Sequence, residues 1–422
     1  MRARLTLSAA VAITLSINLS LSAQMQKDEV TRYEFQGPIL WSGAETSKSD
    51  MDLAALKAIY SDMDRDPRHD LKGIVIVRNG RLVSERYFNG DSADTLHDIR
   101  SATKSLTSLL MGIAIQKGLV HSVDDSIALY LPGLPKDGKE KITIEDLLTM
   151  RSGLDAYDDD ASSPGNENTL DASSDWIRRV YAVPMKLTPG IKYVYCSLNA
   201  FLAGAIIENV SHMPLDQFAK TNLFAPLKIK NYSWRHVPVD RVTGQGNLSI
   251  TTRDEAGIGE LMLDDGVVHG QRIVNHDWIA HSLASQVAIS DGDPYADFYG
   301  YMWYTKAEPV DSHRIEVHFA SGNGGNKIYI VPSLNMVVAI TSSAYNQRYG
   351  QRRSQDILLR VLSAAHSNEC SGLPRGQVTS KLELENSTTR WSYSDLPGET
   401  EPGSAGRQPC RGITGWAHRA DV

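Results

Sequence analysis

The chain has 422 residues, with 43 Lys and Arg against 50 Asp and Glu and a formal charge of −7. That balance excludes an obvious polyanion binder, because neutralising a phosphate backbone takes a basic surface that this chain does not supply, so no nucleic-acid partner is expected. With 41% hydrophobic and 7% aromatic residues, the composition is that of a soluble globular protein with a large core, not of a disordered or collagen-like chain.

Met1-Arg2-Ala3-Arg4 supplies two positive charges, Leu5 to Leu21 is apolar apart from Ser, Thr and one Asn, and small residues follow at Ser22 and Ala23. This is the layout of a secretory signal peptide, with cleavage expected near Ala23. A membrane anchor is the alternative, since the stretch is close to spanning length. Cleavage is preferred because no basic stop-transfer cluster follows it. The segment contains no Cys for a lipid anchor, and no other stretch is long and apolar enough to cross a bilayer. The mature chain is therefore expected to be exported, periplasmic or secreted in a bacterium, with no stable membrane span.

After a polar leader, Asp62-x-Asp64-x-Asp66 opens like a calcium loop. It fails at Pro67, where a Gly is needed, and at Gly73, where the last ligand would stand, and so reads as a solvated acidic stretch. Two β-rich runs, Gly73 to Val77 and Arg81 to Phe88, flank Asn79-Gly80 and read as a tight antiparallel hairpin. Helical spacing follows from Ala102 to Gly118, then shorter helical segments at Ile144 to Met150, Leu198 to Asn209, Leu215 to Asn222 and Arg253 to Leu263. Asp158-Asp159-Asp160, in a stretch rich in Gly, Ser and Asn, reads as an exposed loop at a groove rim. His276 and His281 have the wrong spacing for a zinc pair, and neither a catalytic metal nor a cofactor is expected. Strand signals return at Arg314 to Phe319, Ile328 to Val331 and Met336 to Thr341, before a helix from Ser354 to Ala365.

Strands at both ends with helices between them predict an α/β (α+β) fold, with an antiparallel sheet built from both chain ends and an inserted, mainly helical subdomain at roughly 120–250. A groove between the two is the default site. The expected division is a signal peptide over 1–23, one catalytic domain over 24–366 and a flexible tail over 367–422, where Ser, Gly, Pro, Glu and Thr dominate. Of the three cysteines, Cys370 and Cys410 share that polar segment and are the more plausible pair, leaving Cys196 free.

The chemistry centres on Ser101-Ala102-Thr103-Lys104, at the entry to the long helix. Side chains three apart on a helix share a face, so the Lys104 amine can reach the Ser101 hydroxyl. A desolvated lysine can act as base for a serine nucleophile, and the helix N-terminus favours a developing oxyanion. The bland alternative is that Ser101 caps the helix and Lys104 is solvated.

The stretch Asp98 to Gly112 resembles the nucleophile region of the serine β-lactamase and penicillin-binding superfamily. It is especially similar to the branch holding class C β-lactamases, family VIII esterases and 6-aminohexanoate-dimer hydrolases. Further similar segments follow in the expected order: Thr143 to Leu154, Tyr193-Val194-Tyr195-Cys196-Ser197, Thr251 to Ala256 and Phe319 to Gly325. The resemblance covers about 70–365. It implies a β-lactamase/transpeptidase-like fold and an acyl-enzyme on Ser101, with Lys104 and Tyr195 moving protons and Ser197 hydrogen-bonding Lys104 or a substrate amide. The backbone amides of Ser101 and Asn323 would form the oxyanion hole.

The chain departs from the family's antibiotic-binding members at the third element. Those carry a Lys or His before Thr or Ser and Gly, whereas Ala320-Ser321-Gly322 lacks the cation that would meet a substrate carboxylate. A second register, with Asn323-Gly324-Gly325 in that place, also fits the residues. The substrate expected from this is a small-molecule carboxylic ester or amide. The alternatives are a β-lactam or D-alanyl peptide cleaved by the same residues, and a silent binding module.

Overall fold

The computed structural model describes residues 51–171, 173–237 and 241–371. The signal-peptide segment, Cys410 and the chain beyond residue 371 lie outside them. Helix α1 (Leu53–Asp64) starts on Asp52, whose carboxylate accepts from the amides of Ala54 and Ala55. That satisfies two of the donors a helix N-terminus leaves open. Strands β1 (Leu71–Arg78) and β2 (Arg81–Tyr87) pair antiparallel about Asn79-Gly80. Both turn residues have positive φ, 53° and 66°, the conformation that matches a two-residue turn to strand twist.

The chain then crosses to a short strand β3 (His97–Asp98) and enters helix α2 (Thr103–Gln116), buried from Thr103 to Ala114 and closed by Gly118 at φ 69°. The helical part comprises α3 (Ile144–Leu148), α4 (Asn168–Asp171), α5 (Trp176–Tyr181), α6 (Ser197–Ser211) and α7 (Leu215–Ala219). Strands β4 (Ser233–Trp234) and β5 (Leu248–Ile250) join β3 in a three-stranded sheet. Helix α8 (Thr252–Leu263) begins on a capping box between Thr251 and Asp254, in which two orphan donors are satisfied reciprocally.

After the ribbon β6 (Val267–Val268) and β7 (Gln271–Arg272) and helix α9 (His276–Leu283), the chain returns to the main sheet. It adds β8 (Val287–Ala288), β9 (Phe298–Tyr299), β10 (Tyr304–Val310), β11 (His313–Gly322), β12 (Asn326–Val331) and β13 (Met336–Ser342). Helix α10 (Arg348–Ser371) follows, starting earlier and ending later than the helix expected over 354–365. The sheet order is β2-β1-β13-β12-β11-β10-β9-β8, antiparallel throughout. The pairing of β1 with β13 brings the two ends of the described chain together, as the element order predicts. Strand β13 is buried along its whole length, as expected of a central strand covered on both faces.

The acidic stretch at 62–66 is not simply solvated. Asp62 pairs with Arg65 and Arg360, Asp64 with Arg86, and the buried Asp66 with Arg68 and Arg353. These carboxylates tie α1 to β2 and α10. Asp66 and Asp70 together hold the buried Arg353, whose guanidinium also donates to Ser342.

Candidate active site

Three parts of the chain meet at Ser101. The first is the turn into α2. Arg100, immediately before the serine, has φ 52°, a left-handed conformation that costs a bulky residue of order 1–3 kcal/mol and persists only where its surroundings fix it. Asp98 fixes it by accepting from the Arg100 amide at 2.9 Å, and Tyr345 lies under the guanidinium with its ring centroid 4.0 Å away. Tyr345 also donates its hydroxyl to the Asp98 carbonyl at 3.0 Å.

Lys104, one turn on, is 2% exposed and donates to Ser101 Oγ at 2.9 Å and to the Gln245 carbonyl at 2.9 Å. This is the helical spacing read from the sequence, and it excludes a solvated lysine.

The second part is the loop into α6. Tyr195 is within hydrogen-bonding reach of Ser101 and Lys104, and its ring centroid lies 5.2 Å from the ammonium. Behind it, Tyr193 meets Tyr299 edge-on at 5.3 Å. Ser197 donates its hydroxyl to Glu167 at 2.9 Å, not to Lys104, and its amide donates to Asp158 at 2.7 Å. Asp158 therefore departs from the expected exposed loop, since it is partly buried at the N-terminus of α6, where the helix dipole favours a negative charge. Cys196 between them is a buried free thiol, which burial pushes well up and away from a reactive thiolate.

The charges around Lys104 decide its state. Burial pushes the amine down, but Tyr195, Glu167 and Asp158 outweigh that and carry it net above its ordinary value. Burial holds the Tyr195 phenol up against the opposing pull of Lys104. The resting pair is thus ammonium and phenol, titrating as a unit, which corrects the expectation of a lysine made basic by desolvation. Asp158, Glu167 and Gln245 are the participants the sequence did not reveal, being 30 or more residues from the groups they face.

The third part is β11. Ala320, Ser321 and Gly322 lie on the strand, while Asn323, Gly324 and Gly325 form the turn into β12. A Cβ at Gly322 would overlap the carbonyl oxygen of Ile99. Only glycine allows this approach, which sets the strand end beside the segment that carries Ser101. Asn323 is exposed and held by Asn346, donating from Nδ2 at 2.7 Å and accepting the Asn346 amide at 2.7 Å. Gly325, at φ 93°, packs against Gly350 at the start of α10. Among the described residues no cluster of His, Cys, Asp and Glu is arranged to hold a metal, and no helix is long and apolar enough to cross a membrane.

The family model described as beta-lactamase matches residues 64–362. The 6-aminohexanoate-dimer hydrolase of Paenarthrobacter ureafaciens is 26% identical over 291 residues, covering 64% of this chain and 71% of that protein. Among solved structures, a penicillin-binding protein homologue from Caulobacter crescentus superposes with TM-score 0.59 at 17% identity, covering 75% of this chain and 97% of that one. The D-amino acid amidase of Ochrobactrum anthropi superposes with TM-score 0.58 at 18% identity, covering 75% and 99%. At such identities the superpositions speak for the fold, while the family match spans most of the chain and takes in every residue gathered around Ser101. On that evidence the chain belongs to the β-lactamase family and is a serine hydrolase of the β-lactamase fold.

Proposed function

We propose that the protein is an exported hydrolase that cleaves a carboxylic ester or small amide through an acyl-enzyme on Ser101. The observation that carries this reading is the 2.9 Å contact from the buried Lys104 ammonium to the Ser101 hydroxyl, with Tyr195 in reach of both. The competent state holds one proton fewer on the Tyr195 and Lys104 pair than the resting state. As Oγ of Ser101 attacks the acyl carbon, the pair takes the hydroxyl proton and delivers it to the leaving oxygen or nitrogen. The amides of Ser101 and Asn323 donate to the oxyanion. In the second half the same pair takes a proton from the water that attacks the acyl carbon and returns it to Oγ of Ser101 as the bond from Oγ to the acyl carbon breaks.

An amide substrate is supported by the names of two relatives, 6-aminohexanoate-dimer hydrolase and D-amino acid amidase. Export rests on the sequence of residues 1–23. The test is steady-state hydrolysis of p-nitrophenyl esters, amino acid amides and a penicillin by the wild type and Ser101→Ala. Turnover of an ester or amide, lost by at least a thousandfold in Ser101→Ala, is expected. Turnover of penicillin alone would overturn the substrate assignment, and activity surviving in Ser101→Ala would overturn the nucleophile.

A further inference from the structure

The cation missing at Ala320 has a counterpart on the neighbouring strand. In the hairpin of β11 and β12, Ser321 lies opposite Lys327. The Lys327 ammonium donates to Ser321 Oγ at 2.8 Å and stands 4.5 Å from the ring centroid of Phe319 and 5.9 Å from that of Tyr329. Lys327 is 2% exposed, while Ser321 above it is partly exposed. Asp293, ahead of β9, and Glu308 on β10 exert a field on the amine, yet among the described residues neither forms an ion pair with it. A buried ammonium without a carboxylate partner is costly, and two aromatic faces and one hydroxyl offset only part of that cost. An anion at the Ser321 hydroxyl would supply the missing counter-charge. It would also stand on the strand whose next residue, Gly322, abuts Ile99, two residues before Ser101.

We propose that Lys327, reaching across from β12, serves as the cation that the third element lacks at Ala320. Together with Ser321 it selects a substrate bearing a carboxylate near its scissile ester or amide bond. This rests on Ser101 being the nucleophile, and it names a substrate class that a third element without a cation disfavours.

The probes are two p-nitrophenyl esters of similar length, the neutral valerate and the half-ester of glutaric acid, whose far end is a carboxylate. The measured quantity is the ratio of kcat/KM for the glutarate to that for the valerate. Loss of a charge-assisted contact predicts that the ratio falls about tenfold to a hundredfold in Lys327→Met, mainly through KM, and recovers in Lys327→Arg. Burial sets the Lys327 amine at about 7, so the wild-type ratio also falls as pH rises from 6 to 9, whereas in Lys327→Arg it stays flat. If Lys327→Met is inactive on both esters, this pH dependence of the wild type decides. Hydrolysis of both esters at a ratio that neither the substitutions nor pH alters overturns the inference alone. A wild type that hydrolyses neither ester overturns this inference, and the Ser101 reading falls with it only if amino acid amides also go unhydrolysed.

Discussion

Neutralising Asp158 should move the pH dependence of the reaction without dismantling the site. The Asp158 carboxylate accepts from the Ser197 amide at 2.7 Å, and an Asn at this position keeps an oxygen there to do the same. What it loses is charge. Asp158 helps Lys104 hold its proton and makes the Tyr195 phenolate less favourable, so both effects of Asp158→Asn run in one direction and the pair gives up its proton at lower pH. A charge within about 4–6 Å of a partner moves a pKa by roughly one to three units, and partial exposure puts this one at the low end, about one unit. The acid limb of kcat/KM for a neutral p-nitrophenyl ester, followed from pH 5 to 10, should therefore shift down by about one unit. On that limb the rate at fixed pH rises about tenfold. A limb that stays in place or moves to higher pH would refute the argument that the pair must lose a proton to act.

Other residues give sharp expectations. Glu255 on α8 is fully buried with neither oxygen bonded among the described residues, and burial, with Asp254 beside it, holds its carboxyl well above the ordinary range. Such a group contributes fully below the unfolded pKa near 4.3 and loses its contribution as pH rises towards the folded value. Glu255→Gln should accordingly match the wild type in urea midpoint at pH 4 and exceed it at pH 8. Arg353→Met strips Asp66 and Asp70 of their buried partner and should cost about 3–5 kcal/mol in denaturant unfolding, with a loss under 1 kcal/mol contradicting the clamp. Gly322→Ala must push β11 away from Ile99. A displacement of that order at a reacting centre is worth about a hundredfold in kcat, and wild-type kcat would show that the strand end does not position the substrate.

The features legible in the sequence were those written in local chemistry. Asn79-Gly80 announced the β1 and β2 hairpin, Gly118 the end of α2, and the three-residue step from Ser101 to Lys104 the contact between them. Strand β10 is not legible because Lys306, Glu308 and Pro309 break its apolar alternation, although all seven residues from Tyr304 to Val310 pair with β11. Asp158 and Glu167 were illegible because loops carry them to Ser197 across 39 and 30 residues. Lys327 was within reach of a sequence argument: a tight turn at Asn323-Gly324-Gly325 sets β12 against β11, and counting back across it puts Lys327 opposite Ser321. Lys327 itself lies outside the three residues of the motif, on the strand beyond the turn.

The central claim is that Ser101 carries the acyl group, and the most direct measurement is covalent. The purified protein is incubated with a fluorophosphonate, its intact mass is recorded, and the modified peptide is sequenced for the wild type and Ser101→Ala. One adduct, located on Ser101 and absent from the mutant, is the predicted result. An unmodified wild type, or an adduct that persists in Ser101→Ala, would contradict the account.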